Sequence, residues 1–374
     1  MKKILLPVAA AFASFTVQAQ NAQFLPGHLA VLRAGDGLVD LRLKQAPIFV
    51  DQFDPNGLNA SPSFTVPVPT NGPDSFFFNS HAATEGVLSR SADRRLLAFA
   101  GYGGVNLLEK PGTPSLLEIQ RGICTVDAAG SIHTFLYHLE DLTEKMNPRG
   151  AVTDGTGNFW GCGNAGATFY FNPAGKEKVD FDSVPNARAM KILNNVLYAT
   201  LNGPDATAMD KLAGIYRFVN KTGATPPPHA SDAAIDLVVP ASAPYTKIAG
   251  FDLNPDKTIA YLADSEAGIQ KYVKSGGAWK LAYNFAIPQN IPAPENHANG
   301  CFGLAVDFSG AAPVIYATTT EGYGGSANSN RVIRVVDTNA TASILTLAQS
   351  TSTNIVFRGI DFTPEPGPAH AGKP

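Results

Sequence analysis

Charge is scarce in this chain. Only 16% of its 374 residues are Asp, Glu, Lys or Arg, and the formal net charge is −3. A balance this close to neutral argues against a nucleic-acid partner, whose phosphates call for a basic face. Cysteine is scarce too, with three in all. Three thiols allow either one disulfide, with Cys124 and Cys162 in neighbouring repeats as the pair, or three buried unpaired thiols, and their spacings match no known framework. Apolar runs long enough to span a bilayer are missing, since the longest, Ile4 to Val17, falls short of the roughly 20 residues a spanning helix needs. The local words of the common enzyme classes are also absent: no G-x-S-x-G, no H-E-x-x-H, no phosphate loop and no C-x-x-C. Their absence excludes the motif-bearing classes but not enzymes that assemble a site from separate repeats.

Glycine and proline, by contrast, are plentiful, at 35 and 28 residues, as suits a turn-rich all-β protein. The organising pattern is a six-fold recurrence: Glu85-Gly86-Val87-Leu88-Ser89, Arg149-Gly150-Ala151-Val152-Thr153, Arg188-Ala189-Met190-Lys191-Ile192, Ala249-Gly250-Phe251-Asp252-Leu253, Phe302-Gly303-Leu304-Ala305-Val306 and Arg358-Gly359-Ile360-Asp361-Phe362. Each of the first five passes through a polar turn into a second apolar run, LLAFAGY, NFWGCGN, NVLYATLNG, TIAYLADSE and VIYATTTEG. A strand, a turn and a second strand, recurring at intervals of about forty to sixty residues, predict the blades of a β-propeller. The small second residue has a steric reason, because the innermost strands converge on the axis.

The sixth copy ends the chain with no strands of its own to follow it. Conversely, HLAVLRAG, APIFVDQFD and SFTVPVP near the N-terminus form three strand-like runs with no inner-strand copy. The two halves predict one blade, in which Arg358 to Thr363 supplies the innermost strand and the N-terminal runs the outer three. The expected fold is therefore all-β, a single propeller of six blades, or seven if one is hidden between Lys110 and Asn147 or between Asn220 and Tyr245. At the N-terminus, Lys2 and Lys3 precede the apolar run, and Val17-Gln18-Ala19 ends it with small residues at the positions a signal peptidase reads. Residues 1–19 are thus expected to be a removed signal, 20–363 the propeller and 364–374 a flexible tail, in a secreted, monomeric product.

The segments LAVLRAGDG, APIFVDQFDPNG, TEGVLSRSADRRLLAFAGY, RGICTVDAAG, RAMKILNNVLYATLNG, GIQKYV with the nearby Trp279, and the closing FRGIDFTP together resemble a group of secreted bacterial β-propeller proteins, many of which carry a PEP-type C-terminal sorting tail. The likeness runs through nearly the whole mature chain and implies the fold, but no reaction. The tail departs from the group's pattern. Pro364-Glu365-Pro366 is present, yet GPAHAGKP after it has neither an apolar span nor a basic end, so a soluble fate is expected.

In a propeller, the residues just before each inner strand lie around the mouth of the axial channel, with the loops between second and third strands beside them. That register nominates Glu85, Arg149, Arg188 and Arg358 at the first position of the repeat, with His81, Lys247, Glu295, His297 and Asn299 in adjoining loops. Guanidinium groups around a concave mouth suit a carboxylate or phosphate. The second-to-third strand loops add Tyr102, Asn164, Asp205, Asp264, Glu266, Glu321 and Tyr323, the rings, amides and carboxylates of a sugar platform. The plainer reading is that these arginines pair with an acidic neighbour such as Glu85 of the next blade. The turns at Asp54 to Gly57 and Asp154 to Asn158 could take a structural calcium ion, although hairpin turns favour the same residues for their own reasons. No other cofactor is expected.

Two functions follow. One is a binding propeller for an anionic small molecule or polysaccharide, favoured because no compelling catalytic set is present. The other is a polysaccharide lyase or glycoside hydrolase for acidic sugars. It would use His81, His297 and Glu85 as acid and base, or Glu85 with Glu266 or Glu321, and the arginines would neutralise a uronate.

Overall fold

A computed structural model describes residues 23–367, except 39, 42–44, 80–83, 104–119, 138–146, 165–167, 173–176, 181–185, 204–211, 221–232, 243–244, 246, 289–299, 322–329, 351 and 353. The signal segment expected at 1–19 and the last seven residues lie outside that range. Every regular element described is a strand.

In chain order, β1 (Leu29–Ala34), β2 (Ile48–Phe53) and β3 (Phe64–Pro67) open the first blade. The second contains β4 (Phe76–Phe77), β5 (Ser89–Arg90), β6 (Leu96–Gly103), β7 (Gln120–Asp127) and β8 (Ile132–Tyr137). The third is β9 (Pro148–Thr153), β10 (Phe159–Gly163), β11 (Thr168–Asn172) and β12 (Glu177–Asp180), and the fourth β13 (Ala187–Leu193), β14 (Val196–Leu201), β15 (Gly214–Asn220) and β16 (Ala233–Pro240). The fifth is β17 (Ile248–Leu253), β18 (Ile259–Asp264), β19 (Gly268–Ser275) and β20 (Ala278–Phe285). The sixth is β21 (Cys301–Asp307), β22 (Val314–Thr319), β23 (Arg331–Val336) and β24 (Ile344–Gln349), and β25 (Val356–Phe362) ends the strand inventory. The sheets are six antiparallel blades, and the first has the order β25-β1-β2-β3. The described strands of the two segments that could have hidden a seventh blade, β7, β8 and β16, belong to blades 2 and 4.

The ring closes as the repeat predicts. Val31 lies opposite Ile360 and Leu29 opposite Phe362, and beyond the ladder Thr363 N–H donates to His28 O at 2.9 Å. Pairing the chain's two ends removes both exposed sheet edges. Gly359 shows why the second position of the repeat is small. A Cβ there would stand 2.2 Å from the backbone nitrogen of Leu88 and 2.5 Å from Gly86 O, backbone atoms of the next blade. Turn chemistry is equally local. Asn194 and Asn195 take positive φ values of 50° and 59° in the two-residue hairpin between β13 and β14, the geometry that asparagine tolerates best after glycine.

Six apolar clusters fill the six interfaces between neighbouring blades. Each blade is therefore buried on both faces, and strands such as VLYATL read as continuous apolar runs rather than alternating ones. The three cysteines sit inside this packing as free, buried thiols. The Cys124 to Cys162 disulfide is thus corrected: Cys124 belongs to the cluster between blades 1 and 2, Cys162 to that between blades 3 and 4.

Blade 2 departs from the expected pattern. Only Ser89 and Arg90 of its inner segment pair with β6, because Phe76 and Phe77 occupy the other end of that strand, opposite Gly103 and Tyr102. Residues 85–88 bond sideways instead, Gly86 O accepting from Gly359 N–H at 2.7 Å and Val87 N–H donating to Arg149 O at 3.2 Å. At the other chain end, Pro364 is buried and Glu365 N–H donates to Arg94 O at 2.8 Å, so the tail is docked through its first residues.

Candidate functional site

Inner strands run from an upper channel mouth, where the first position of the repeat stands, to a lower mouth at the turns into the second strands. The upper mouth holds the residues nominated from register. Glu85 is 1% exposed. Its Oε1 accepts from Tyr102 Oη–H and its Oε2 from Asn79 N–H, each at 2.8 Å. Burial pushes its carboxyl up to about 8, against the opposing pull of these bonds and of Arg358 and Arg121. Tyr102 lies within β6, 2% exposed, with Arg121 over its ring at 4.9 Å. It is a wall residue rather than a loop platform, because the strand extends through Gly103.

Arg149 donates from Nη1 to Asn186 Oδ1, and the Arg358 guanidinium lies 5.9 Å from the centre of the Phe302 ring. Both arginines are 7% exposed, so they serve the seams between blades more than the open channel. Arg188 and Lys247 are differently placed. With Thr84, Asn202, Glu266 and Phe302 they line a cavity of about 140 Å³ at the upper mouth. Asp264 beside them caps a turn, accepting from Lys247 N–H at 3.1 Å, Glu266 N–H at 2.9 Å and Ala267 N–H at 3.0 Å. Glu321 is buried and paired with Arg331. Asn164 accepts from the backbone of Asn147. His81, Asp205, Glu295, His297, Asn299 and Tyr323 lie outside the described residues.

The acidic turns are internally satisfied. Asp154 takes donors from the backbone of Thr156 and Asn158 at 2.7 and 3.2 Å and from both their side chains, and Asp54 accepts from Asn56 N–H at 2.8 Å. Among the described residues no group of three or more His, Cys, Asp or Glu is placed to hold a metal ion.

The lower mouth holds a larger cavity, of about 430 Å³, which register did not nominate. At its floor Lys191 Nζ lies 3.2 Å from Asp252 Oδ2, 3.4 Å from Asp361 Oδ2 and 3.4 Å from Leu304 O. All three charged residues occupy the fourth position of the repeat, in blades 4, 5 and 1, so the lysine reaches across the axis to the opposite blade. Burial pulls the Lys191 ammonium down, but the two carboxylates outweigh it and hold it above the usual lysine range. Burial raises Asp252, with Asp361 adding to the effect and Lys191 opposing it. A charge at the fourth position in three of six copies was the sequence signal for this site.

No family model matches the chain, and no curated protein matches it. Its fold is similar to solved structures of low identity. TolB from Acinetobacter baumannii aligns at TM-score 0.51 and 10% identity over 91% of this chain and 67% of that one. A chain of the nidogen/laminin complex aligns at 0.52 and 12% over 90% and 98%. A putative 6-phosphogluconolactonase from Bacteroides fragilis aligns at 0.44 and 14% over 84% and 80%. At these identities the likeness shows the propeller fold alone.

Proposed function

We propose that the protein is a secreted, monomeric β-propeller that binds an anionic or glycan ligand at its upper mouth without turning it over. The observation that carries this reading is the placement of Arg188 and Lys247 on the wall of one cavity with Asn202 and Phe302. Two cations in a concave site strengthen each contact with a carboxylate. The cavity, about 140 Å³, takes an acidic end group rather than a whole drug-sized ligand, for which pockets of roughly 300–1,000 Å³ are usual. Binding is favoured over turnover because Glu85, Asp264 and Glu321 already have structural partners, in Tyr102, a turn and Arg331, which leaves Glu266 on the cavity wall without a second free carboxylate among the described residues to complete an acid–base pair. Export rests on Lys2, Lys3 and the Ile4 to Ala19 segment, and N-terminal sequencing of the mature protein, expected to begin at Gln20, tests it.

The central test incubates the mature protein with polygalacturonate and with neutral polysaccharides, following melting temperature, reducing ends and the ultraviolet absorbance of unsaturated products. A thermal shift with polygalacturonate and no products is expected, and an Arg188→Ala, Lys247→Ala double variant should lose the shift. Products that disappear in His81→Ala or His297→Ala would replace this reading with a lyase or hydrolase.

A further inference from the structure

The lower cavity differs from the upper in what its polar atoms have left to offer. An ammonium group has three donors, and those of Lys191 go to Asp252, Asp361 and Leu304 O. The floor therefore has no donor to spare for an anion. A carboxylate, with two oxygens, accepts about four hydrogen bonds. Asp252 Oδ2 takes Lys191 and Val306 N–H, while among the described residues its Oδ1 takes Leu253 N–H alone, at 3.0 Å. Asp361 matches it: Oδ2 takes Lys191 and Arg90 N–H, and Oδ1 takes Phe362 N–H at 2.8 Å. What remains on the floor is acceptor capacity, suited to hydroxyl groups.

The rim has the opposite character. Arg90, Arg94 and Lys257 line it, so the cavity counts four cations, with Lys191, against the two carboxylates. Glu365 draws on Arg90 and Arg94 from the tail, at 3.7 and 3.6 Å, and the Lys257 ammonium stands 5.9 Å from the Tyr198 ring centre. Phe308, half-buried, adds apolar wall, a surface suited to the C–H face of a sugar ring. Hydroxyl acceptors at depth, cations at the opening and a volume of about 430 Å³ define one chemical class.

We propose that the lower mouth is a second binding site, for a small polyhydroxylated acid of the sugar-acid type, with its hydroxyls on Asp252 and Asp361 and its carboxylate toward Arg94 and Lys257. This goes beyond the upper-mouth reading and does not depend on it.

Titration calorimetry of the full mature chain with galacturonate, galactose and succinate tests the site. Galacturonate should bind at millimolar concentration or below, with galactose, which lacks the charge, and succinate, which lacks the hydroxyls, each at least about tenfold weaker. An Arg94→Ala, Lys257→Ala variant alters only rim side chains, so its melting temperature should match the wild type while galacturonate affinity falls about tenfold or more. An Arg188→Ala, Lys247→Ala variant should leave that affinity unchanged. No galacturonate binding, equal binding of galactose or succinate, or indifference to the rim substitutions would overturn the proposal. Loss of binding in the Arg188, Lys247 variant alone would move the ligand to the upper mouth, sinking this inference while sustaining the other.

Discussion

At the upper mouth Glu85, Arg149 and Arg358 stand one residue before the small position of their repeats, and they act along the seams between adjacent blades. At the lower mouth they stand two residues after it, and they meet across the axis. Arg149 reaches Asn186 and Glu85 has Arg358 of blade 1 nearby, whereas Lys191 spans from blade 4 to Asp361 in blade 1. The same strand, over a few residues, thus changes from a wall component to a plug. The difference lies in register: a first-position side chain such as Arg149 meets a group of the adjacent blade, and a fourth-position one such as Lys191 meets the carboxylate of the opposite blade. A buried charge is tolerated at either mouth only if an opposite charge or full hydrogen bonding attends it, so the two mouths arrive at different partners under one rule.

The comparison presumes a rigid ring between the mouths, and Gly359 is where that presumption breaks most visibly. Gly359→Val places its Cβ on Leu88 N and Gly86 O, backbone that cannot step aside without opening the seam between blades 1 and 2. A loss above about 4 kcal/mol, most of the margin of a domain at the low end of the usual range of about 5–15 kcal/mol, is expected. Chemical denaturation or the soluble yield reads it, and a well-folded variant would show that the inner strands tolerate separation.

Lys191→Met comes next in size and bears on the lower mouth alone. It leaves Asp252 and Asp361 buried together with no cation, at a cost of about 3–5 kcal/mol at neutral pH. The remedy open to the variant is protonation of Asp252, whose carboxyl burial already raises with Lys191 in place. A carboxylate whose folded pKa lies above its unfolded value stabilises the fold more as pH falls, so the variant's melting temperature should rise on acidification from neutral toward pH about 5. A variant with the wild-type pH profile would mean that the two aspartates are not coupled through the lysine.

How much of this was readable in advance follows the same division. Ring closure was legible because each chain end carried a complementary part of one blade, and Val31 opposite Ile360 is that reading made physical. The small second position was legible from sterics. Lys191, Asp252 and Asp361 share the fourth position of the same six words, a register that acquires its meaning only when the ring sets blades 4, 5 and 1 around one axis. In a strand buried along its length a charge needs a partner, and three at one register point to each other. Burial of Tyr102 was not legible, since a tyrosine next to Gly101 and Gly103 suits a loop as well as a crowded strand. Nor was the absence of a disulfide, because pairing depends on which packing cluster each thiol enters.

The upper mouth yields the smaller prediction, and its sign is opposite to the usual carboxylate. Glu85 rises from 4.5 in the unfolded chain to about 8 in the fold, chiefly through burial. Between those values the folded state holds a proton that the unfolded state releases, so each step up in pH favours unfolding. The contribution is fully present below pH 4.5, declines as pH rises, and is gone above about 8. Glu85→Gln keeps an acceptor for Asn79 N–H and an amide that can donate to the Tyr102 hydroxyl, but it cannot ionise. The wild type should therefore lose roughly 2–4 kcal/mol relative to Glu85→Gln between pH 5 and 8, with the two converging at the acid end. Parallel melting curves across that window would place Glu85 in contact with water, and the upper mouth would then be as open as the lower.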